Sequence, residues 1–403
     1  MRADRHERHA RATRVVHAGS GPREPDSPIV NPIVPSATFY TAPEPVGEVR
    51  YTRYGTNPGH QALAERLAAL EGSEAALVLA SGNAACALSL LSCVGAGDHI
   101  VAARALYGGS LRILTREFPR LGIDTTFVDL AGDWAAALRP ETRVLFVEIP
   151  VNPTLRIADP RPLARLARDR GLTLIVDATF ATPINFRPLE HGADLVMHSA
   201  TKYLGGHSDV TAGVVAGRAD LVAAVRDRLI SFGPVLDPHA VWLLERGIKT
   251  LDVRVKRQNQ SALALARWLA GHPAVSRVHY PGLEDHPDHA LAATLFEGSG
   301  GMLSFEVRGG DEAALRVFSR LRLVCVAPSL GSVESLVSMP RYTSHVALTR
   351  EERLALGVGD GFIRVSVGIE DVRDLISDFD IALRPETEAG TRSRPSAADS
   401  AAR

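Results

Sequence analysis

Lysine is scarce in this 403-residue chain: it supplies only Lys202, Lys249 and Lys256 of the 45 basic residues, and the rest are arginine. Where surface cations are arginines, a lysine that follows an apolar strand is expected to be there for its amine. Lys249 and Lys256 lie in a charged helical segment and read as a solvated face. Cysteine is equally sparse. Cys86, Cys93 and Cys325 make no disulfide framework. Cys86 and Cys93 sit in an apolar helical stretch and read as packing, so a reducing cytoplasm is expected. The formal net charge of −1 argues against nucleic acid or an anionic membrane surface as a general partner. No run approaches the ~18 apolar residues of a membrane span. Residues 1–14 are rich in Arg and His and lack the apolar centre of an export signal. Neither Gly-x-Gly-x-x-Gly nor a P-loop pattern occurs, which leaves dinucleotide and nucleoside triphosphate binding without support.

What is present converges on residues 193–207. The apolar run at 195–197 reads as a short buried strand, and it ends in Ser199, Thr201, Lys202 and the pair Gly205-Gly206. That order puts Lys202 just past the carboxyl end of a strand, where open α/β sheets hold ligands. Ser199 and Thr201 are compact donors suited to a phosphate. An amine able to condense with an aldehyde, beside phosphate donors, is what pyridoxal 5′-phosphate requires. A second strand, 173–177, ends in Asp177. A carboxylate there can keep the cofactor's ring nitrogen protonated. Asp177 and Lys202 together are far more specific than either alone.

Alternating strands and helices through about residue 250 indicate an α/β fold with a mostly parallel sheet covered on both faces. The chain is read as four parts. Residues 1–58, dense in proline, form an arm with no core of its own. Residues 59–250 form the α/β unit, 251–388 a smaller α+β unit, and 389–403 a disordered tail. The strand–glycine–helix turn at Ser81-Gly82-Asn83 is a ready anion site. Tyr107 precedes two glycines that leave room for a cofactor face. Arg364 lies on an apolar strand, where an unpaired guanidinium is costly, so it needs an anion: a buried acid or a substrate carboxylate. The loop from His286 to His289 lacks metal-ligand spacing, so no metal is expected.

The segment Ser-Ala-Thr-Lys-Tyr-Leu-Gly-Gly-His-Ser-Asp at 199–209 resembles the lysine motif of the Cys/Met-metabolism pyridoxal-phosphate enzymes. These comprise cystathionine γ-synthases, cystathionine and methionine γ-lyases, and homoserine-ester sulfhydrylases. The likeness runs from about residue 13 to 383 and implies a fold-type-I transferase. It implies a homo-oligomer, either a dimer or a tetramer built as a dimer of dimers, in which the arm reaches a neighbouring subunit. Tyr51 and Arg53 would then hold the neighbour's cofactor phosphate. Gly82, Asn83, Ser199 and Thr201 would bind it within the chain, Tyr107 would cover the ring and Asn152 would lie near it. Ser329 and Arg364 would meet the substrate, Arg364 through its α-carboxylate. Arg50 and Arg112 are candidates for the substrate's far end. Two departures stand out: Ala178 replaces the usual Asn after the aspartate, and Gly55-Thr56 lengthens the loop after Arg53.

The expected activity is γ-replacement or γ-elimination on γ-substituted L-homoserine derivatives, with Lys202, Tyr107 and Asp177 catalytic. Partners are then a small amino acid and, for replacement, a thiol. The alternative within the family is a γ-lyase releasing a 2-oxo acid and ammonia. An aminotransferase, or a non-catalytic cofactor-binding regulator, is a more remote rival.

Overall fold

The computed structural model describes residues 9–385 apart from 22–23, 45–46, 345 and 347–348. The expected tail at 389–403 lies outside the described residues. Seven segments build the main sheet: β1 (Ala75–Leu79), β2 (His99–Ala103), β3 (Asp124–Val128), β4 (Thr142–Glu148), β5 (Thr173–Asp177), β6 (Leu195–Ser199) and β7 (Gly213–Gly217). Their spatial order is β1-β7-β6-β5-β4-β2-β3. Only β7 runs against its neighbours, β1 and β6; the remaining pairs are parallel. Helices cover both faces, as the sequence pattern predicts.

The centre of the sheet is apolar because it is covered twice. Val144 to Val147, Leu174 to Val176 and Leu195 to Val196 have no measurable exposure. Burying each such side chain fully stabilises the fold by about 1.5–3 kcal/mol. A charge at Val176 would forfeit that and leave an unpaired ion in the core. Local signals set the helix ends. Asp159 caps the helix Pro160–Arg170 by accepting the Arg161 N–H at 2.9 Å, and Gly171 ends it with φ +65°.

Register explains why one edge of the sheet gathers the chemistry. Glu148 on β4 pairs with Asp177 on β5, and Asp177 with Met197 on β6. At β7, Gly213 pairs with Leu79 on one side and with Ser199 on the other. The carboxyl ends of β1, β4, β5 and β6 therefore lie together.

The long helix Leu251–Ala270 leads to a second sheet: β8 (Val275–His279), β9 (Met302–Val307), β10 (Cys325–Val326), β11 (Leu336–Ser338) and β12 (Phe362–Ser366), ordered β10-β11-β12-β9-β8. Its apolar face packs on that helix and on Val372–Leu383 through Phe305, Leu375 and Phe379. Ser304 on β9 donates to the Pro153 carbonyl at 2.8 Å, which fastens this sheet to the turn after β4. Among the described residues, no helix is long and apolar enough to cross a membrane.

Candidate active site

A cavity of about 760 Å³ opens where the strand ends meet the second sheet. Gly82, Asn83, Tyr107, Asn152, Asp177, Ser199, Thr201, Lys202, Ser329 and Arg364 all line it. Residues more than 280 positions apart in sequence thus line one cavity. Tyr51, Arg53, Arg50 and Arg112 do not line it. Arg53 donates to the Ile230 carbonyl at 2.6 Å and lies over the rings of Tyr51 and Tyr54. Arg50 lies over Phe39, and Arg112 is exposed at the end of the helix Gly108–Arg112.

Lys202 donates to the Ser329 hydroxyl at 2.7 Å. Burial, reinforced by the positive charge of Arg364, lowers its pKa from 10.5 to about 8. Ser329 holds φ +88°, a strained backbone for a residue with a side chain. It is pinned there from both ends, because its carbonyl accepts from Arg364 at 3.0 Å. Arg364 also donates to Asn152 Oδ1 at 3.0 Å, and among the described residues no carboxylate pairs with it. Burial lowers its pKa to about 10. Of the two anion sources the sequence left open, the buried acid Glu148 acts on Arg364 only through space, and the cavity remains for a direct partner.

At the opposite wall, Ser81 caps the helix Gly82–Leu91 by accepting the Ala84 N–H. The Gly82 and Asn83 N–H groups have no acceptor inside the helix, as in any first turn. A Cβ on Gly82 would stand 2.6 Å from Ser199 Cβ, so only glycine lets the helix start against the end of β6. The Thr201 hydroxyl is engaged with the Ala212 backbone, accepting its N–H at 3.0 Å. Tyr107 is half exposed, and its ring occupies the space a Gly109 Cβ would fill, 2.4 Å from Cε1.

Asp177 is buried, and burial raises its pKa. Its Oδ1 accepts both the N–H and the hydroxyl of Thr179, at 2.9 and 2.6 Å. Thr179 in turn accepts the Ser199 N–H at 2.8 Å. Beside Asp177 lies Glu148, whose pKa burial and the Asp177 charge raise to about 8. Glu148 carries the same signal in sequence as Asp177, an acid at the end of an apolar strand, but the apolar run continues past it into Ile149. Tyr342, Thr343 and Ser344 also line the cavity from an irregular segment that carries no motif.

A model of Cys/Met metabolism PLP-dependent enzymes matches residues 12–384. The chain belongs to this family. It is 42% identical over 375 residues to a cystathionine gamma-lyase of Bacillus subtilis, covering 92% of this chain and 98% of the relative. It is 41% identical to an O-succinylhomoserine sulfhydrylase of Pseudomonas aeruginosa, covering 82% of each. The solved structure of cystathionine gamma-lyase CalE6 from Micromonospora echinospora superposes with a TM-score of 0.88 at 38% identity, over 93% of this chain and 99% of that one. Members of the family depend on pyridoxal phosphate.

The cavity fits that cofactor. Asp177 is a buried carboxylate whose Oδ2 has no protein partner among the described residues, and a protonated ring nitrogen would supply one. The capped helix start with Ser199 suits a phosphate. The Lys202 amine, partly deprotonated near neutrality, suits an aldehyde. The loop at 286–289 proves to be a latch: Asp288 binds Arg156 twice, and no cluster able to hold a metal occurs among the described residues.

Proposed function

We propose that the chain replaces the γ-substituent of an L-homoserine derivative, preferring esters with an anionic or small uncharged γ-group over cystathionine. One observation carries the reading. Lys202 and the unpaired Arg364 face one cavity, while the residues at its outer wall, Tyr107, Pro328, Tyr342, Thr343 and Ser344, bring no acid to hold a distal ammonium.

When bound, pyridoxal phosphate supplies an aldehyde for linkage to an amine and a ring that takes up the electron pair left on the substrate's α-carbon. Arg364, oriented by Asn152, holds the α-carboxylate with its paired donors. The Lys202 amine, near its pKa, removes the α-proton and then a β-proton. Tyr107 at the half-open side of the cavity delivers a proton to the departing γ-group. Asp177 would offer its carboxylate to the ring nitrogen, and Thr179 holds that carboxylate in place. A second copy supplies Tyr51 and Arg53 to the phosphate. The arm around them supports this, because Ile29 and Tyr40 stand exposed and await a surface.

The γ-lyase reading is the alternative, and the likeness to the two γ-lyases favours it. It differs in whether the γ-carbon takes a thiol or a proton; in the second case water hydrolyses the released product to a 2-oxo acid and ammonia. Incubating the enzyme with O-succinyl-homoserine, O-acetyl-homoserine, cystathionine and methionine, each with and without a thiol, separates the two. Thioether formation from an ester supports replacement. 2-Oxobutanoate and ammonia alone support elimination. Turnover of cystathionine above the esters defeats the stated preference.

A further inference from the structure

Glu148 closes β4 just as Asp177 closes β5, and the two pair in register. The reaction proposed above uses only Asp177. Yet Glu148 is 4% exposed and makes no ion pair among the described residues. Both of its oxygens go to backbone: Oε2 accepts the Tyr107 N–H at 2.7 Å, and Oε1 accepts the Asn152 N–H at 3.0 Å.

A merely structural plug at this depth would be better served by an apolar side chain, because a lone buried carboxylate is expensive. Two acceptor oxygens aimed at two separate N–H groups need a carboxylate. A carboxamide would turn a donor toward one of them. The turn it holds is otherwise weak. Tyr107 precedes Gly108 and Gly109, and its helix start has no side-chain cap. From the other turn, contacts run on through Asn152 Oδ1 to Arg364, to the Ser329 carbonyl, and through the Ser329 hydroxyl to Lys202.

We propose that Glu148 is a positioning residue that fixes the Tyr107 turn and, through Asn152, the Arg364 guanidinium at one separation across the cavity. It rests on the active-site reading above but not on the choice of substrate. The charged and titratable groups that face it are Asp177 on β5, Arg364 on β12 and the Cys86 thiol on the helix Gly82–Leu91.

The test uses Glu148→Gln in the full chain loaded with pyridoxal phosphate. The visible absorption of the bound cofactor, titrated against pH, reads the surroundings of Lys202 without any substrate. Displacing Tyr107 and Asn152 should move the titration midpoint by about half a unit or more, roughly a threefold change in proton affinity. The thermal midpoint should fall by no more than a few degrees. With a substrate that the wild type accepts, kcat should drop about tenfold or more while KM changes less. An absorption titration superimposable on the wild type's overturns the proposal. Should Glu148→Gln not fold, Glu148→Asp, which keeps the charge but reaches one turn at most, should show a smaller shift, and no shift there overturns it equally. A wild type that turns over none of the proposed substrates defeats the proposed reaction and leaves this titration decisive.

Discussion

The sheet and the arm both carry residues that the family resemblance assigns to the cofactor, yet Asp177, Ser199 and Lys202 reach the cavity of their own chain while Tyr51 and Arg53 do not. Asp177, Lys202 and Arg364 sit on elements whose core residues are wholly buried, so packing delivers them to one place. Tyr51 and Arg53 sit on an arm held to the rest of the chain mainly by polar ties, among them Asn31 to Glu245 at 2.9 Å and Arg53 to the Ile230 carbonyl. At its root Asn57 donates to the Val34 carbonyl at 2.7 Å and Arg226 pairs with Glu48. A core can place a side chain within one molecule. An exposed arm can place one only against something else. The comparison makes a quantitative claim: removing a strand-end residue should abolish function in any mixture, whereas removing an arm residue should be reparable by a second chain.

The largest effect is expected at Lys202. Lys202→Ala should lower turnover by about 10³-fold or more, since it removes both the amine that links the cofactor and the general base. The fold should persist, because the side chain makes a single hydrogen bond, to Ser329. Borohydride reduction of the wild type should fix the cofactor to the peptide containing Lys202. Label at Lys249 or Lys256 would overturn the site. The pH dependence has a definite sign. Burial lowers the Lys202 pKa, so its free-amine form fills as pH rises to about 8 rather than 10.5. Capture of pyridoxal phosphate by the cofactor-free chain should therefore rise through about pH 8 and level off roughly one unit above it. A rate still climbing toward pH 10 would mean that the amine is not held as the structure has it.

A smaller effect is expected on the arm. Arg53→Ala should weaken cofactor retention about ten- to a hundredfold, the range for one hydrogen bond to a charged group. The decisive measurement is the mixture. Arg53→Ala and Lys202→Ala subunits, each defective alone, should regain activity together if Arg53 serves a neighbour's site. Verified mixed oligomers with no recovery would show that the arm works within its own chain.

The same contrast governs what the sequence revealed. Asp177 and Lys202 were legible because each ends a continuous apolar run, and a run buried on both faces has few alternatives to a parallel strand. Arg364 was legible because a guanidinium on an apolar strand demands an anion. Glu148 obeys the first rule, but the apolar run continues into Ile149 and hides the strand's end. Nothing local marks Thr179 as the partner of Asp177, because its role depends on the turn after β5. The 342–344 segment was beyond reach: its place over the cavity depends on the second sheet and on no local pattern. Arg50, Arg53 and Arg112 showed charge and spacing but not location. Periodicity says which side of an element is buried; it does not say which of two molecules an exposed cation meets.

The smallest expected effect concerns the substrate's far end, where strand-bound wall and arm compete for control. Pro328 lines the cavity of its own chain, and Arg50 does not. An acid at 328 would face the distal ammonium of cystathionine directly. An acid at 50 would act only from a second copy. Both positions are exposed, so solvent screens the charges and each contact is worth about 0.2–1 kcal/mol, or roughly 1.4- to fivefold. Pro328→Glu should therefore raise kcat/KM for cystathionine relative to O-succinyl-homoserine by at most about fivefold. Arg50→Glu should move the same ratio in the same direction only in the assembled oligomer, because its charge must come from the neighbouring chain. If Pro328→Glu leaves the ratio unmoved while Arg50→Glu shifts it, the arm rather than the wall sets specificity. If neither moves it, charge at the cavity mouth does not select the γ-substituent, and the size of the space beneath Tyr107 and Tyr342 is left to do so.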